Sequence, residues 1–121
     1  MLSISAPLVA RASVKNGGGV TVKNYCVRPG AHLTYANLTS ANLIGANLYN
    51  AKMVGVNLFN AKLPGATMSN SYLTGATLTF ANLTSAALQL ATLTRATLAG
   101  ANLTGATCPN GILHANLGAS C

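Results

Sequence analysis

Side chains able to do chemistry are scarce in this chain. Its 121 residues include no Asp, no Glu, two His, three Cys and seven Lys or Arg. Without carboxylates there is no acid–base pair of the glycosidase or aspartic-protease kind, and no Asp-held triad. His32 and His114 stand near opposite ends of the sequence, which gives a His-based metal cluster no spacing to rest on. Cys108 or Cys121 with His114 is the one Cys–His nucleophile arrangement on offer. Gly17-Gly18-Gly19 lacks the Lys-Ser/Thr ending of a phosphate loop and reads as a linker. The expectation is a non-enzymatic protein with no cofactor, no metal and no small-molecule substrate.

The charge is all of one sign, +7 with a pI of about 9.9. Arg11, Lys15, Lys23 and Arg28 lie in the first thirty residues, whereas Lys52, Lys62 and Arg95 are scattered through the rest. A basic N-terminal segment could bind nucleic acid or an anionic surface weakly and salt-dependently. The alternative is that a few cations keep a nearly uncharged surface in solution. No aromatic platform of the kind single-strand binding uses accompanies them. No apolar run approaches the roughly 18 residues of a membrane-spanning helix.

The elements that must position these residues are set by a repeat. From Ala31 to Asn110 a five-residue phrase recurs sixteen times without a gap, as in AHLTY, ANLTS, ANLIG and ANLYN. The first position is Ala in fourteen blocks, Val56 and Ser71 being the exceptions. The third is Leu in thirteen, the exceptions being Met53, Met68 and Cys108. On a helix, successive Leu positions would fall about 140° apart and form no stripe. In a flat strand every second Leu would change face. A corner once per block removes both conflicts and turns Ala and Leu inward. Gly at 45, 55, 65, 75, 100 and 105, and Asn at 50, 60, 70 and 110, suit such a corner. The period therefore predicts an all-β solenoid whose coils stack and are not stable singly.

The phrase resembles the pentapeptide repeat family, whose usual block is Ala-Asp/Asn-Leu followed by two variable residues. The resemblance covers 80 of the 121 residues. It implies a right-handed quadrilateral β-helix with four blocks per coil, hence about four coils and a rod about 19 Å long. Several members of that family imitate the shape and negative charge of DNA and occupy the DNA site of gyrase. Here the second position carries Asn or Thr in most blocks and a carboxylate in none. A cationic rod would be repelled by that site, so DNA mimicry is excluded. What the resemblance leaves is a structural or protein-interaction scaffold of unknown partner.

The same register places Lys52 and Lys62 two sides apart, so no basic stripe follows one face. Val20-Thr21-Val22-Lys23 alternates as a capping strand, and Pro29-Gly30 marks the turn into the first block. Residues 20–30 are thus expected to close one end of the rod formed by residues 31–110. At the other end Thr107-Cys108-Pro109-Asn110-Gly111, closing on Cys121, resembles the Cys-Pro-x-Gly…Cys ending of some exported bacterial members. That likeness implies a Cys108–Cys121 disulfide tying residues 111–121 across the last coil. The alternative is that Cys108 merely fills a Leu slot. Cys26 lies about four coils, near 19 Å, from Cys108, too far for a bridge that needs Cα atoms within about 7 Å. Its state stays open. A disulfide would favour an extracellular or periplasmic location over the cytoplasm. Residues 1–19, with a short apolar stretch and Ala10-Arg11-Ala12, read as a signal remnant or a disordered segment.

Two outward features remain. Ice binding needs Thr at both outward positions of one side, coil after coil. Within the repeats only Thr77/Thr79 and Thr92/Thr94 have the pattern, fifteen residues apart and so on different sides. Phe59 and Phe80 are expected to face outward on or near one side, where they could form a contact patch.

Overall fold

The computed structural model of the protein describes residues 20–109. From Ala31 onward one unit recurs every five residues, a short extended stretch followed by a two-residue turn at the fourth and fifth positions. The turn closes by a backbone bond from each first-position amide to the preceding third-position carbonyl. Ala36 N donates to Leu33 O at 3.0 Å and Ala81 N to Leu78 O at 3.0 Å. The fifth residue has positive φ in every block from Tyr35 to Gly105, between 56° and 72°, while the fourth does not. That is a type II turn, the geometry for which Gly and Asn are suited.

The corners fold the chain back over itself with a fixed offset. Each second-position residue bridges in parallel to the residue twenty positions on, which makes a circuit of four blocks. One ladder runs His32, Lys52, Tyr72, Thr92, and the next Asn37, Asn57, Thr77, Thr97. The others run Asn42, Lys62, Asn82, Asn102 and Asn47, Thr67, Ala87, Thr107. Two bonds make each bridge: Leu33 N donates to Lys52 O at 2.7 Å, and Lys52 N to Ala31 O at 2.8 Å. A third joins the corners, as when Tyr35 N donates to Val54 O at 2.9 Å. The chain is therefore a parallel β-solenoid.

First and third positions fill its interior. Leu33, Leu38, Leu58, Leu78 and Leu83 are fully buried, as are Met53 and Met68 in the same slots. Ala between them keeps neighbouring walls close. Ser71 is the one buried polar side chain among the described residues, and its hydroxyl donates to Met68 O at 2.6 Å. Leu93 and Leu98, in the last described circuit, are only partly buried.

Before the repeats lies a hairpin of β1 (Val20–Val22) and β2 (Tyr25–Val27), paired antiparallel with Val22 opposite Tyr25. Lys23 and Asn24 form its turn at φ 50° and 70°, the two positive angles of a type I′ loop. The alternation read from sequence runs one residue further, but the reversal ends the strand at Val22. Val22 and Tyr25 pack against the core, and Cys26 and Val27 are buried. Pro29-Gly30 makes the corner into the first block, with Ala31 N donating to Arg28 O at 3.0 Å.

Candidate interaction surface

The repeating unit leaves one backbone donor without a backbone partner, the amide of the fourth position. First-position amides close turns, and those of the second, third and fifth positions join circuits. Second-position Asn supplies the missing acceptor. Asn37, Asn57, Asn82 and Asn102 each take the amide two residues on at their Oδ1, at 3.0 to 3.1 Å. Where the fourth residue is Thr, its hydroxyl joins the same oxygen at 2.6 to 2.7 Å. The Asn-Leu-Thr phrase is thus a self-satisfied outer wall. The structure places most Asn and Thr bonds within the block, because Oδ1 reaches the nearer amide. Bonds between circuits are fewer: Ser69 to Gln89 at 2.7 Å, Asn60 to Ser40 at 3.3 Å, and Thr79 to Thr97 at 3.4 Å.

Against that polar wall the two phenylalanines stand out. Phe59 occupies a fourth position, its amide held by Asn57 Oδ1, and remains 40% exposed. Phe80 occupies a corner at φ 59° and is 58% exposed. Their rings meet edge to face, centroids 5.8 Å apart and planes at 87°. The twenty-residue register puts Gly100 at the corner after Phe80, where a Cβ would overlap Cδ1 of that ring. Tyr35 lies over Gly55 in the same way. Sequence reasoning assigned Gly and Asn to the corners and missed that Tyr35, Phe80, Leu90 and Arg95 take the same left-handed backbone. The strict five-residue spacing was the signal available for it.

The other outward residues are dispersed. Lys23 donates from Nζ to Thr39 O at 2.6 Å, and Arg28 from Nη1 to Pro29 O at 3.5 Å. Arg11 and Lys15 lie outside the described residues. Lys52 and Lys62 belong to different ladders, as do Thr77 and Thr92. Cys108 is buried, and its proposed partner Cys121 lies outside the described residues, as does His114. Among the described residues no group of three or more His, Cys, Asp or Glu could hold a metal ion. No helix among them is long and apolar enough to cross a membrane.

A β-solenoid with a five-residue unit and inward Ala and Leu defines a class of repeat scaffold, and comparison with known proteins agrees. The family model for pentapeptide repeats matches residues 30–58, 51–89 and 71–107. The chain belongs to the pentapeptide repeat family. Among solved structures it is similar to a pentapeptide repeat protein of Nostoc Pcc 7120, with 34% identity and a TM-score of 0.66, covering 72% of each chain. It also matches a pentapeptide repeat protein of the Arabidopsis thaliana thylakoid lumen at 35% identity and a TM-score of 0.43. That match covers 64% of this chain and 57% of the other. Comparison with curated proteins gives no match.

Proposed function

We propose that this protein is a non-enzymatic interaction scaffold, a right-handed, four-sided rod of about four coils that binds a partner protein at the Phe59–Phe80 edge. The observation that carries the reading is the ring pair itself, edge to face at 5.8 Å and partly exposed. Pentapeptide repeat chains are structural or interaction scaffolds, and the twenty-residue circuit supports the four-sided form. The hairpin before the repeats closes one end of the rod. Residues 111–121, tied by a Cys108–Cys121 disulfide, close the other. That bridge would belong to an oxidising compartment, the periplasm or the cell exterior.

Affinity capture from the native extract tests the surface. A protein retained by the wild-type chain and lost by the Phe59→Ser/Phe80→Ser variant is the expected result, and identical capture by both removes the surface. The disulfide is checked by intact mass before and after reduction under denaturing conditions, with an increase of about two hydrogens expected for one bridge. An unchanged mass removes the bridge and the argument for export.

A further inference from the structure

Resting on the reading of Phe59 and Phe80 as a contact surface, we propose that the partner is an acidic protein segment, seating an aromatic or aliphatic side chain on this edge and a carboxylate on Lys62. Three observations lead there. First, the ring pair is held rather than loose. Phe80 is fixed by its corner, by the Phe59 edge and by the Gly100 backbone beneath its ring. A left-handed conformation disfavours a bulky side chain, and seven corners among the described residues carry Gly instead. The corner fold does not require a ring there; an incoming apolar group gains from one that is already ordered.

Second, Lys62 lies on the adjoining side of the rod, in the circuit before Phe80. It bridges to Asn82, two residues past Phe80, and itself follows the Asn60 corner by two. Lys62 is exposed, and its ammonium meets no acceptor among the described residues, whereas that of Lys23 is engaged by Thr39. Third, the whole chain lacks Asp and Glu, so no side-chain carboxylate of its own competes for that cation or repels an acidic visitor. Charge complementarity therefore selects the sign of the partner. The ring geometry selects its kind. Planes at 87° offer no shared flat face on which bases would stack, which favours an apolar side chain.

The test is a selection from random displayed peptides of about a dozen residues on the full chain, followed by anisotropy titration of the enriched peptide. Phe80→Gly is the main variant, because Gly suits the corner and keeps the fold. Enriched peptides should place Asp or Glu next to an aromatic or Leu residue. Binding should fall about tenfold in Phe80→Gly, as expected of a central anchor. Lys62→Gln should weaken it about threefold, and salt should weaken wild-type binding more than that of the Lys62→Gln variant. Peptides that depend on Phe80 but lack acids, or bind independently of salt, overturn the acidic partner and leave the surface standing. No enrichment, or equal binding to Phe80→Gly, overturns the surface itself.

Discussion

Leu90 and Gly100 occupy equivalent corners with opposite consequences. Leu90 is 74% exposed at φ 60°, where an L side chain costs about 1 to 2 kcal/mol over Gly. Leu90→Gly is expected to stabilise by about 1 kcal/mol, after the extra chain entropy of Gly is subtracted, and urea denaturation reads it directly. Gly100→Ala goes the other way. It adds a methyl group against the Phe80 ring at φ 70°, for a loss of about 2 kcal/mol. In a Phe80→Gly background the overlap part of that loss should vanish. A double-mutant cycle with no coupling between the two positions would contradict the ring seat. Gly100 thus looked in the sequence like any other corner glycine. Only the stacking of one corner over the next shows that it also makes room for a ring.

At the scale of the five-residue element, the first and third positions differ in what they tolerate. Leu78 is fully buried between circuits, so Leu78→Ala should cost about 3 kcal/mol, including the cavity left behind. Ser71 sits in an Ala slot, and Met68 O keeps the Ser71 amide at 3.2 Å when the hydroxyl is gone. Ser71→Ala should therefore change stability by less than about 1 kcal/mol in chemical denaturation. A large loss would mean that the buried hydroxyl does more than satisfy itself. The inward assignment of these positions was legible from spacing, because one corner per block forces residues two apart onto one face. The bond from second-position Asn to the fourth amide was not legible. It depends on which backbone donor the stacked circuits leave without a partner, and that is settled only when circuits are placed against one another.

For the whole molecule, the missing acids govern response to pH as well as choice of partner. Acid unfolding ordinarily follows protonation of carboxylates that are paired or hydrogen-bonded in the native state. With no Asp or Glu, this protein has no such side chain to protonate as pH falls. Its urea midpoint should shift little between about pH 7 and about pH 3, the two histidines aside. A steep loss of stability over that range would sink this account. The scaffold should also tolerate changes along its outer walls better than at its ends, since each circuit rests only on its neighbours.

The sequence by itself determined the solenoid, its inward residues and the exclusion of acid-dependent chemistry, because those follow from a five-residue period and from composition. Tertiary structure decided what no periodicity contains: that the Phe59 and Phe80 rings meet edge to face, and that Gly100 gives Phe80 its seat. These residues lie about twenty positions apart in the chain. Their meeting is set by the offset at which backbone hydrogen bonds lock one circuit to the next. The repeat requires only that some closed circuit exist. The bonds between circuits decide which outward side chains become neighbours.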